Sequence, residues 1–269
     1  MQFSIHDSSL IFQFNALYLT LIFCVYYSLK NAGIVDVFWP TIFIADASII
    51  IAQSSKLTSK SIFFFGLLTI SCARLLIYLA SRFSKNYPTE DIRYSHFKAS
   101  YHKAPNLAIF LVYQLQGIFA SILFIPLIPG LTSSNNSMGT FEYIGISIFI
   151  LSLTGEWLAD KQLTKFKQNP LHKNKICQIG LWKYSRHPNY FFEWLTWVSY
   201  SIYLTGDHNG HFAILSSLLM LFLLIKVTGV KPTEELMLQS RGDSYKEYMK
   251  NTSVFFPWPQ KNKDSSKSN

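Results

Sequence analysis

Charged residues are scarce over seven stretches of this chain and crowd together between them. Residues 10–29, 34–52, 61–80, 106–129, 142–160, 190–206 and 211–228 are almost wholly apolar, and each approaches the roughly 20 residues a helix needs to cross a bilayer. The pattern predicts an all-α integral membrane protein with about seven transmembrane helices, the run at 190–206 being the shortest. After the last run, residues from about Pro232 carry Glu234, Glu235, Tyr245 and Tyr248 in an amphipathic pattern, which predicts one further helix lying outside the hydrocarbon.

The basic residues orient this arrangement. With the N-terminus outside, segments 1–9, 53–60, 130–141 and 206–210 hold only Lys56 and Lys60, whereas the opposite segments hold twenty of the 24 lysines and arginines. Cytosolic loops carry such an excess, so the C-terminus and the amphipathic helix are expected in the cytosol. One membrane domain is expected over 1–259, followed by a disordered polar tail, 260–269. The first residues, MQFSIHDSSL, lack the basic start of a signal peptide, so the first span is expected to be retained. A bacterial inner membrane and an endoplasmic reticulum both fit this charge pattern.

Composition narrows the function classes. The chain is 49% hydrophobic and 14% charged, with a net charge of +9. Basic loops facing anionic headgroups account for that charge, and no aromatic-interleaved basic motif calls for nucleic acid. Cys24, Cys72 and Cys177 are scattered and fit neither a disulfide framework nor a metal site.

Polar residues inside the spans are few and unevenly placed. Asp36, Arg74, Glu156, Asp160, Glu193 and Lys226 fall in the halves expected to be cytosolic; Asp46 lies in the opposite half and reads as a structural polar contact. Arg74 continues to Tyr78 at four-residue spacing, and Asp36 is its expected partner; Tyr113 is a further polar group in its span. Helical spacing sets Glu156, Asp160, Thr164 and Lys167 on one face. The stretch Lys175–Glu193, KICQIGLWKYSRHPNYFFE, then gathers Tyr184, Arg186, His187, Asn189, Tyr190 and Glu193 at the threshold of an apolar run. An ordinary basic loop anchoring a membrane helix would contain similar residues. A pocket open to the cytosol would instead mix cations (Arg74, Lys167, Lys175, Arg186) with carboxylates and amides, which suits a nucleotide cofactor. No GxGxxG or P-loop occurs, so helical side chains would have to hold it.

The runs DKQLTKFKQNP, GLWKYSRHPNYFFEW and KPTEELMLQSRGDSYKEYMKNTSVFFPWP, with VDVFW in the second span, resemble the DUF1295 family of multi-pass membrane proteins. That family is related to steroid 5-alpha-reductases and sterol reductases, and more distantly to isoprenylcysteine and phospholipid methyltransferases. The resemblance covers nearly the whole chain and implies NADPH as cofactor and a lipid or sterol-like substrate. It implies that Asp160 faces the cofactor, with Glu156 one turn earlier where steroid reductases have Asn. Lys167 and Lys175 would stand at the phosphates, Asn189 at the cofactor's middle and Glu193 at the carboxamide. Tyr184, Arg186, His187, Tyr190, Glu235 and Tyr245 complete the cofactor-binding candidates.

The substrate-activating residues depart from the reductases: Phe38 and Ser71 occupy the places of their Glu and Tyr, so Tyr78, Tyr113, Asp36 and Arg74 are the candidates for proton handling. A reductase of a C=C bond is the leading expectation. An S-adenosylmethionine-dependent membrane methyltransferase shares the RHP block and the Glu234-Glu235 pair, although Phe191 stands where that branch has Gly. A non-catalytic lipid-binding protein is the third alternative.

Overall fold

The computed structural model describes residues 5–54 and 56–260, with side chains from residue 8 onward. The expected disordered tail, from residue 261 on, lies outside the described residues. The chain is 79% helical and contains no strand among the described residues. Among the described residues, six helical segments are long and apolar enough to cross a membrane, so the protein is an all-α, multi-pass membrane protein. The run at 190–206 becomes a helix of 17 residues, started by Pro188 and stopped before a turn at Thr205–Gly206; it is not among the six.

Two compact units make up the chain. The first comprises Met1–Glu142 and Leu204–Ser216. Its long helices are α1 (Ile5–Leu29), α2 (Ile34–Gln53), α3 (Ser59–Asn86) and α5 (Pro105–Phe124), with a short α4 (Ile92–Ser100) before α5. Pro126 and Pro129, which lack the N–H a continuing helix needs, break the fourth apolar run into a 3-10 turn and the short α6 (Ile128–Leu131). Leu107, Leu111, Leu115, Ile118 and Ile122 of α5 all stay exposed. Their spacing of three and four draws one apolar stripe along the helix, the pattern of a face turned to lipid.

Two buried polar clusters tie this unit together. Asn15 of α1 donates through Nδ2 to Asp46 Oδ2 on α2 (3.0 Å) and to Ser121 Oγ on α5 (2.9 Å). Lys60, at the start of α3, is only 1% exposed; it pairs with Glu142 and, at 3.0 Å, with Asp207. Ser133 Oγ donates to Asp207 (2.7 Å) and the Gly139 amide to Glu142 (2.7 Å), so Lys60 gathers three later segments. Expected on a surface loop, Lys60 is instead an interior ion, tolerable there because two carboxylates face it.

The second unit comprises Tyr143–Tyr203 and Ser217–Asn269. It holds most of α7 (Thr140–Gln168) and α8 (Pro188–Leu204), most of α9 (Ala213–Phe222), a π-helical turn at Leu223–Val227, and α10 (Val230–Arg241) and α11 (Asp243–Asn251). The single amphipathic helix expected after Pro232 is thus two, divided at Gly242, whose φ of +52° suits the residue without a Cβ.

Candidate functional site

All twelve candidate cofactor-binding residues fall in the second unit. Small residues bring its two long helices together. A Cβ on Gly145 would fall 2.9 Å from Ser199 O, Thr196 Oγ1 donates to Ser152 Oγ (2.9 Å), Gly155 lies against the Phe192 ring, and Asn189 Nδ2 donates to Asp160 Oδ1 (3.3 Å). As one residue number rises along α7 its neighbour on α8 falls, so the pair is antiparallel and closely packed, as small residues permit between membrane helices. At one end of this seam Glu156 and Asp160 are buried, and Glu193 is half-buried with Oε1 accepting from Trp197 Nε1 (3.1 Å). One turn of helix separates Glu156 from Asp160 and Asn189 from Glu193. Beyond Asp160, α7 runs on into the exposed Lys161, Lys165 and Lys167.

The loop before α8 is pinned repeatedly between Cys177 and Ser185. Gly180 adopts φ +55° against the Gln162 side chain, whose Oε1 accepts from the Leu181 amide (2.9 Å). Trp182 Nε1 donates to Ala159 O (3.0 Å), and its ring packs with Phe166 and Cys177. Tyr248 OH donates to Trp182 O (2.5 Å), and Ser185 Oγ to Phe255 O (2.8 Å). The Trp258 amide donates to Tyr184 O (2.9 Å). The segment SVFFPWP thus folds back onto the loop through Phe255, while Val254, Phe256 and Trp258 remain exposed.

Arg186 and His187 turn inward. Arg186 Nε donates to Glu234 Oε1 (2.7 Å) and Nη1 to the carbonyls of Met249 (3.0 Å) and Thr252 (2.6 Å). His187 Nε2 lies 3.2 Å from the same Glu234 oxygen, and the ring stacks on Tyr190 at 5.4 Å. Tyr245 OH donates more weakly to Glu234, at 3.4 Å. Burial holds the His187 imidazole below its ordinary range, outweighing the opposite pull of Glu234. Burial and then the Glu234 charge push the Tyr245 phenol up. This cluster fastens α10 and α11 to the head of α8, and Arg186 carries out that fastening instead of facing the exposed lysines.

Glu235, the expected member of the Glu pair, is exposed on α10, and Glu234 takes its place in the cluster. Helix phase carried the signal: Val230 is buried, and Glu234 follows it by four residues. Lys167, Lys175 and Tyr184 are also exposed.

The proton-handling candidates fall in the first unit. Asp36 does not take Arg74 as its partner. It accepts from Arg93 Nη2 (2.9 Å) and Tyr94 OH (2.7 Å), both on α4. Asp91 caps α4 and holds the same arginine; burial would raise its carboxyl, but Arg93 keeps it below its usual range. Burial and then Asp36 push the Tyr94 phenol well up. Tyr113 is fully buried and donates its OH to Ala32 O (2.7 Å). Arg74 and Tyr78 lie half-buried on α3.

No curated protein and no solved structure matches the chain. The family profile described as "Protein of unknown function (DUF1295)" matches residues 22–252, a span that includes the long helices from α2 onward and every candidate residue above. An all-α chain with six membrane-length apolar segments, matched over most of its length by that profile, belongs to the DUF1295 family of membrane proteins.

Proposed function

We propose that this protein is a membrane-embedded, NADPH-dependent reductase of a carbon–carbon double bond in a lipid, sterol-like or isoprenoid substrate. The observation that carries the reading is the gradient along α7 and α8: buried Glu156 and Asp160 beside Asn189 and Glu193 at one level, and exposed lysines from Lys161 to Lys167 beyond. The donor set fits the cofactor. Carboxylates accept from a carboxamide N–H, the Asn189 amide offers both a donor and an acceptor, and lysines neutralise phosphate. Lys175, exposed on the pinned loop, adds to the basic end. When bound, the reduced nicotinamide supplies the hydride.

In this reading Glu193, oriented by Trp197, fixes the carboxamide, and Asp160, held by Asn189, aligns the neighbouring portion. Of the proton-handling candidates, Tyr113 and Asp36 are committed to Ala32 and to the Arg93–Tyr94 pair. Tyr78 and Arg74, half-buried on α3, complete the set to be varied.

A methyltransferase using S-adenosylmethionine is the second reading. It draws on the convergence of Arg186, His187 and Glu234, which joins the RHP block to the Glu pair. Titration of the detergent-solubilised protein with each cofactor, followed by nicotinamide fluorescence and calorimetry, separates the two. Saturable binding of NADPH alone supports the reductase; saturable binding of S-adenosylmethionine alone replaces it with the methyltransferase. Binding of neither leaves a non-catalytic lipid-binding role.

A further inference from the structure

The Asn15–Asp46–Ser121 cluster carries two orphaned atoms. Asp46 is fully buried and Asn15 is 1% exposed, both well inside their helices. The Asn15 amide spends its two N–H groups on Asp46 Oδ2 and Ser121 Oγ, and Ser121 in turn donates to Gly117 O. Asp46 Oδ1 and Asn15 Oδ1 are then both buried without a hydrogen-bond partner. Two oxygens that can only accept have been left over at one site. A buried acceptor without a donor is costly, and a bare carboxylate in hydrocarbon more so.

No charged side chain relieves it. Among the described residues, Asp46 makes no ion pair, and Asn15 is its only side-chain partner. Of the charged groups on the helices packed against α2, Lys60 is held by Glu142 and Asp207, and Arg82 by Asp91. Tyr18 of α1 is engaged with Thr41, and Tyr113 of α5 with Ala32.

We infer that Asp46 is a proton-binding site: its carboxyl is neutral in the folded protein and forms a two-point pair with Asn15, accepting through Oδ2 and donating through a proton on Oδ1 to Asn15 Oδ1. One proton, taken from water as the helices pack, turns one of the two orphans into a donor and gives the other its partner. An amide and a carboxylic acid are complementary in this way, each offering one donor beside one acceptor. The pair closes α1 on α2, while the second Asn15 N–H holds α5. This inference is independent of any cofactor site.

Infrared spectroscopy with isotope-labelled aspartate tests it on the unaltered protein in detergent. At neutral pH the label is expected in the C=O band of a protonated acid, and that band is expected to vanish in Asp46→Asn. Because an amide at 46 reproduces both bonds of a neutral acid, Asp46→Asn should hold the Tm within about 2 °C, whereas Asp46→Ala should lower it by roughly 5–10 °C. Absence of the band, its persistence in Asp46→Asn, or failure of Asp46→Asn to fold would each overturn the inference. So would a Tm that rises when sodium replaces choline and loses that response in Asp46→Asn, since a cation would then hold an ionised Asp46.

Discussion

Arg186 Nε donates to Glu234 Oε1 across 2.7 Å, with the guanidinium 8% and the carboxylate 13% exposed. One buried charge therefore answers another between the head of α8 and α10. Removing a single partner strands the other, which is the costly way to break such a pair. Glu234→Ala is expected to cost about 2–4 kcal/mol, a fall in Tm of roughly 4–12 °C for a chain of this size. The exposed Glu235→Ala should stay within about 0.5 kcal/mol. Thermal unfolding of the two variants side by side checks this difference.

His187 makes stability depend on pH. Burial depresses its folded pKa below the ordinary 6.5, so between those values the unfolded chain binds more protons than the folded one. The His187 contribution is complete above the unfolded value and is lost as pH falls through it toward the folded value. Tm measured from about pH 8 down to about pH 5 should decline, and His187→Gln should flatten the decline by about one proton's worth of slope. An unchanged slope in the variant would remove His187 as the group responsible.

Asp36 holds α4 through Arg93 and Tyr94. Asp36→Ala and Arg93→Gln should each cost about 1–3 kcal/mol and hasten proteolysis between Tyr87 and Lys103. The double variant should fall short of additivity by roughly 0.5–3 kcal/mol, as contacting residues do. Additive losses would mean the two residues act separately.

On the proposed cofactor site, Glu193→Gln replaces an acceptor-only carboxylate with an amide that presents its own N–H groups. A lost charge-assisted hydrogen bond of about 1.5–3 kcal/mol corresponds to roughly a 10- to 150-fold weaker NADPH dissociation constant. Helical content by circular dichroism should not change. Wild-type affinity in the variant would exclude Glu193 from the site.

What hydropathy records, the sequence made legible. Each apolar run became helical, with α3 and α7 running six and eight residues past their expected ends and the fourth run interrupted at Pro126 and Pro129. The partners of polar residues were harder to read. Arg74 lies in the span next to Asp36 and looked like its counterion, yet the residues that bind Asp36 sit on α4, a nine-residue helix whose mixed composition reads as loop. Lys60 looked like a surface charge because its counterions, Glu142 and Asp207, come from distant turns. At the candidate site the face with Glu156 and Asp160 followed from helical spacing, and the Asp160–Asn189 contact needed the α7–α8 crossing. The choice of Glu234 over Glu235 rested on helix phase, which one buried valine could have set.

The burial of Lys60 also imposes an order on synthesis. A ribosome delivers α3 well before Glu142, 82 residues later, and Asp207, later still. An ammonium without counterions is poorly tolerated in hydrocarbon, so the head of α3 must wait at the aqueous boundary until both carboxylates have emerged. Because Leu204–Ser216 belongs to the first unit, that unit is completed only by a segment made after α7 and most of α8.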